Sequence, residues 1–160
     1  MLQATKPIRH PRTSRTSNRK AELLDPATIE TRFYGLVLRG DCLDPIFKDG
    51  DKLVIDKQGP LHAGCFAVFY YRPELVPPGE LTLQLKRLVT AMPLHLTLPY
   101  REHPKSEIKF VVGVEQLNPA KQWIVECEDL LAVHHCLGRV DDPKVQARLQ
   151  EEWPIGKPQP

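Results

Sequence analysis

The chain has 160 residues, of which 41% are apolar, 26% charged and 7% aromatic, enough for one domain with a hydrophobic core and too little for two of ordinary size. Proline is in excess, at 16 residues against a usual share of about 5%, which disfavours long uninterrupted helices and with them a helical bundle. The net charge of +2 conceals a split: Lys6, Arg9, Arg12, Arg15, Arg19 and Lys20 lie in the first 20 residues with no acidic partner, and the remaining 140 carry 16 basic and 20 acidic side chains.

Residues 1–32 therefore read as a basic N-terminal arm. Its Pro, Arg, Ser and Thr offer no repeating apolar face, so it cannot bury enough surface to offset the entropy of ordering, and it is expected to be disordered. Charge alone would give it a weak, salt-sensitive contact to nucleic acid. No apolar core follows the basic residues, as a secretory signal requires. Within the arm, Asp25-Pro26 can cap one short helical turn, which is too little for a helix-turn-helix reader of DNA.

From Phe33 the pattern changes to short β-branched and aromatic runs bounded by Gly, Pro or Asp, the signature of strands. The runs are Tyr34–Leu38, Lys52–Asp56, Cys65–Tyr71, Leu81–Val89, Leu94–Leu98, Phe110–Val114, Gln122–Val125 and Leu130–Val140. Their number and spacing predict a mainly β fold, a coiled antiparallel sheet or partly open β-barrel spanning residues 33–141. The proline-rich stretch Arg72–Glu80 is a connection longer than a tight hairpin, and a second polar connection spans Tyr100–Glu107. Asp142-Pro143 starts a short peripheral helix in the closing segment 142–160, with Val145 and Leu149 on one face, and Pro154 stops it.

The longest strongly apolar run, Cys65–Tyr71, falls far short of the roughly 20 residues needed to cross a bilayer, so no membrane partner is expected. Four cysteines without a C-x-x-C pair do not make a disulfide scaffold and fit a reducing cytoplasm. Cys127, His134, His135 and Cys136 have the residue types for zinc. Adjacent strand residues face opposite ways, however, and no second close pair completes a tetrahedron. His10, His62, His95 and His103 stand isolated. Asp44, Asp49, Asp51 and Asp56 lack the spacing of a calcium loop and are better explained by turn chemistry. No metal and no cofactor are expected. Trp123 and Trp153 read as a core or edge anchor and a tail contact.

Two segments carry the chemistry. Gly40-Asp41-Cys42-Leu43-Asp44-Pro45, closing with Gly50-Asp51, makes a tight turn that can present Cys42 to an extended substrate. Leu81–Leu88 carries Lys86 between Leu85 and Leu88, and strict alternation sets Thr82, Gln84 and Lys86 on one face. A lysine held against apolar neighbours holds its proton less tightly and can serve as a general base.

Together with Gly64-Cys65-Phe66-Ala67-Val68 and the closing Gly138-Arg139-Val140, these segments resemble the LexA/UmuD-like peptidases, which share a serine–lysine dyad and a coiled β core with bacterial signal peptidases. The resemblance covers about residues 33–141 and keeps the motif order. It implies a cytoplasmic peptidase of the SOS-response type acting on an extended peptide or protein segment, with Cys42 at the nucleophile position and Lys86 as base or ion-pair partner. A homodimer is compatible with it. The departures fall on the site: Cys42 stands where the family has serine and Leu43 where methionine is usual. No Ala-Gly or Cys-Gly pair precedes Cys42 as a self-cleavage site, and Ala63-Gly64 maps to the start of an internal strand. The alternative expectation is an inactive peptide- or protein-binding module on the same scaffold.

Overall fold

The computed structural model describes residues 25–92 and 110–152. The expectations for the arm up to residue 24, the strand Leu94–Leu98, the connection Tyr100–Glu107 and Trp153 lie outside the described residues.

Seven strands form one antiparallel sheet: β1 (Phe33–Val37), β2 (Lys52–Asp56), β3 (Phe66–Tyr71), β4 (Leu83–Leu88), β5 (Val111–Leu117), β6 (Ala120–Glu126) and β7 (Leu130–Arg139). The order across the sheet is β1-β2-β7-β3-β4-β5-β6. The sheet is open, with β1 and β6 at its edges. The last strand inserts at the centre, between β2 and β3, and this insertion decides burial along the chain.

β3, flanked by β7 and β4, is covered on both faces, so its sequence is a continuous apolar run rather than an alternating one. Ala67 and Phe69 join one core cluster with Cys65, Leu88, Val112, Val114, Val125 and Leu130. The intervening Val68 and Tyr70 join a second, with Leu43, Phe47, Leu53, Ile55, Leu85 and Cys136. Each face of the sheet thus has its own core, and the period-2 geometry of the strands sorts neighbouring residues between them.

Most strands lie within two residues of their expected bounds. β5 and β6 are longer than predicted because a two-residue turn, Asn118-Pro119, joins them into a hairpin from Val111↔Glu126 to Leu117↔Ala120. The long connection after β3 contains a 3-10 turn at Pro73–Leu75, anchored where Arg72 donates to the carbonyls of Glu128 and Asp129. The closing helix, α1 (Pro143–Glu152), starts as expected: the Asp142 carboxylate accepts from the Lys144 amide at 2.8 Å. Its buried Val145 packs against β7 at Gly138, where φ is +130° and a β-carbon would approach Val145 Cγ2 to 3.2 Å.

Among the described residues no helix is long and apolar enough to cross a membrane.

Candidate functional site

The turn carrying Cys42 is built by backbone amides that donate to its own aspartates and is closed by its core side chains. Asp49 accepts from the Gly40 amide at 2.8 Å and Asp51 from the Lys48 amide at 2.9 Å. Leu38 and Gly50–Asp51 exchange two further bonds that close the base of the loop. Gly40 and Gly50 take φ near +90°, a conformation that favours glycine. Asp49 and Asp51 therefore serve turn geometry, as the sequence suggests, while Asp56 pairs with Arg32. Leu43 is fully buried, at 0% exposure, and Phe47 packs edge-on against Phe66 at 4.9 Å. These two side chains plug the turn into the core and leave Cys42 half-buried beside them.

Cys42 is also clamped through its backbone. Its carbonyl accepts from the amides of Leu117 and Asn118, at 2.8 and 3.1 Å, so the β5–β6 hairpin holds the residue in place. The same hairpin meets Lys86: Gln116, whose Nε2 donates to the Pro119 carbonyl at 3.0 Å, turns its Oε1 to Lys86 Nζ at 3.4 Å. Lys86 is only 6% exposed, and its ammonium lies over the Trp123 ring, 5.4 Å from the centroid. Next to it, Arg87 pairs with Glu115 across β4 and β5.

Cys42 and Lys86 line one cavity of about 560 Å³ together with Leu36–Arg39, Leu53, Val68, Gly79–Leu81 and Leu83–Leu85. Val37 and Leu81 at its rim are 49% and 55% exposed. The two reactive groups reach different neighbours. Cys42 Sγ approaches the Leu85 carbonyl at 4.0 Å, the outer limit for a thiol donor, and packs on the cluster that contains Leu85. Lys86, one residue on, turns toward Gln116 and Trp123. Sequence reasoning named Cys42 and Lys86 but missed Gln116, Leu117 and Asn118. The legible signal for them was the Asn-Pro turn between two strand runs.

Of the four thiols, Cys42 alone is not buried. Burial pushes the Cys127 thiol up to about 11 and the Cys136 thiol up to about 12, and raises Cys65 as well. These three remain protonated at neutral pH, and all three are buried.

The four-residue group Cys127, His134, His135 and Cys136 does not assemble. His134 lies on the face of the second core cluster, where the Tyr34 hydroxyl bridges Tyr70 Oη at 2.6 Å and His134 Nδ1 at 2.8 Å. Burial, with a smaller push from Lys57, holds His134 down at about 4, so the ring is neutral at pH 7. His135 faces the other way and meets His62, which corrects the expectation that His62 is isolated.

No protein-family model, curated protein or solved structure matches the chain.

Proposed function

We propose that the protein is a LexA/UmuD-like peptidase-fold protein whose groove takes an extended peptide, with Cys42 as the nucleophile and Lys86 as its base or ion-pair partner. The observation that carries this reading is that Cys42 and Lys86, far apart in sequence, line the same apolar groove. That groove runs beside β1, an edge strand, and a peptide backbone can pair with a free strand edge while its side chains fill apolar pockets.

The chemistry follows from the two groups. A free thiol loses its proton at about 8.5 and a lysine at about 10.4, so a Cys–Lys pair that shares one proton holds it on the lysine, as thiolate and ammonium. The thiolate attacks the peptide carbonyl, and the ammonium gives its proton to the departing amine, leaving a thioester on Cys42 and a neutral lysine. Water then adds to the thioester as Lys86 takes its proton, which releases the new carboxylate and restores the pair. Reaching this state requires Lys86 Nζ to leave Gln116 for Cys42 as the peptide fills the groove. The second reading is a binding module that holds a peptide without cutting it, and the engagement of Nζ by Gln116 and Trp123 favours it.

Peptide-mapped alkylation and cleavage profiling separate the two readings. A random peptide pool is incubated with the full chain and with Cys42→Ala, and products are read by mass spectrometry. Iodoacetamide labelling is followed at each cysteine in Gln116→Ala, where Lys86 is released from its acceptor, with and without Lys86→Met. Cleavage that disappears in Cys42→Ala, and Cys42 labelling slowed several-fold by Lys86→Met, are expected of the peptidase. Peptide retention without cleavage, and labelling indifferent to Lys86, would establish the binding module instead.

A further inference from the structure

On the opposite face of the sheet from Tyr34 and His134, three side chains converge that the groove does not use. His62 and Cys65 are the corners of a β-turn, with the Cys65 amide bonded to the His62 carbonyl at 3.2 Å and Gly64 at φ +86°. The turn brings both side chains over β7, where His135 lies beside the start of β3 in the register Ala67↔His135. Their potential ligand atoms, one from each residue, all lie within 4.8 Å of one another. We propose that His62, Cys65 and His135 form a binding site for a divalent cation of the zinc class, with a fourth position open to water.

The donor set fits that class. Two imidazoles and a thiolate suit a borderline-soft ion and exclude magnesium or calcium, which take oxygen ligands. The His62 ring is oriented for it: a carbonyl can only accept, so the 3.0 Å contact to the Ala63 oxygen fixes the proton on Nδ1 and leaves the Nε2 lone pair free. A backbone carbonyl behind the other nitrogen is the usual support of a metal-bound histidine. The His135 ring fits closely over Gly59, where a β-carbon would fall 2.5 Å from its Nδ1. That nitrogen is buried with no hydrogen-bond partner, an arrangement that calls for an explanation in a native fold. Nearby, Arg148 lies 3.7 Å from Asp56, whose main partner is Arg32.

Ligand atoms on a tetrahedral zinc stand about 3.3–3.6 Å apart, from bond lengths of about 2.0–2.3 Å. The cluster must therefore close by up to about 1.5 Å, with the exposed His62 side chain free to move toward the other two. On binding, Cys65 gives up its proton to solvent and its thiolate bonds the ion. The ion would tie the turn before β3 to the central strand β7. The site does not depend on the chemistry assigned to Cys42 and Lys86.

The full chain, stripped with chelator, is titrated with Co(II), and bound cobalt is then displaced with Zn(II). One equivalent should produce a thiolate-to-cobalt charge-transfer band that zinc abolishes, unaltered in Cys42→Ser and lost in Cys65→Ser. Cys65 is buried and its replacement can unfold the chain, so the deciding variant is His62→Gln, at an exposed position, which should weaken cobalt binding at least about tenfold. Gly59→Ala, by displacing the His135 ring, should weaken it too. No charge-transfer band in the wild type, a band abolished by Cys42→Ser, or an affinity unchanged by His62→Gln would overturn the site.

Discussion

Gln116 sets where the Lys86 ammonium rests. Its amide is oriented by the Pro119 carbonyl, so its oxygen offers Lys86 a fixed acceptor, and the neighbouring Leu117 and Asn118 amides hold the Cys42 backbone. The hairpin thus fixes Cys42 in place while drawing the ammonium away from the sulfur. A hydrogen bond to a charged group at 3.4 Å is on the weak side of its class, about 1 kcal/mol. Gln116→Ala should therefore free Lys86 for Cys42 and raise the rate of Cys42 alkylation at neutral pH by about fivefold. Lys86→Met combined with it should remove that gain. A rate unmoved by Gln116→Ala would mean that Gln116 does not hold Lys86 away from the thiol.

At the scale of elements, the docking of α1 on the central strand rests on Gly138. A β-carbon there would need a backbone conformation that side chains rarely adopt and would crowd Val145 Cγ2 at 3.2 Å. Gly138→Ala should cost about 1–3 kcal/mol in urea denaturation and expose α1 to limited proteolysis before the sheet is cut. Exposed pairs such as Arg139–Asp141, 3.5 Å apart, should contribute less than about 1 kcal/mol by comparison.

The same elements show what the sequence could and could not disclose. β2, β3 and β7 were legible because β-branched and aromatic runs end at Gly, Pro or Asp, and α1 because Asp142-Pro143 is a cap. Lys86 and Cys42 were legible as residues, from a turn rich in Gly and Asp and from a lysine among leucines. Their separation was not, because alternation along β4 sends Leu85 and Lys86 to different neighbours, and which neighbours those are depends on strands β5 and β6 far along the chain. The His62, Cys65 and His135 cluster was hidden for a related reason. His135 was paired in sequence with His134 and Cys136, whereas the sheet order β2-β7-β3 sets it beside a turn about 70 residues earlier.

Across the whole molecule, one buried charge joins the two ends of the described fold. Asp56, at the end of β2 and 0% exposed, takes two hydrogen bonds from Arg32, at 2.9 and 3.0 Å, and one from the Gln58 amide. Arg148 of α1 approaches at 3.7 Å, and Arg32 also reaches Glu152 at 2.8 Å. Burial alone would raise the Asp56 carboxyl, but the Arg32 hydrogen bonds, the Gln58 amide and the two guanidinium charges outweigh it and hold the group below its usual value. The sign of the pH dependence follows. A carboxyl lowered in the folded state binds fewer protons there than in the unfolded chain, so its contribution is complete above the unfolded value of about 3.9 and is lost as pH falls through the lower, folded value. In Asp56→Asn the charge is absent at every pH. The gap in urea midpoint between wild type and Asp56→Asn, measured in chelator so that no metal takes part, should be constant from about pH 7 to about pH 5 and close below about pH 4. Arg32→Ala removes the main stabilising partner and raises the folded-state value of the Asp56 carboxyl toward or past the unfolded one, so in that variant the loss of stability on acidification that Asp56 causes should shrink or reverse. A gap that stays open at the lowest pH would show that the Asp56 side chain acts by packing and neutral hydrogen bonds rather than by its charge.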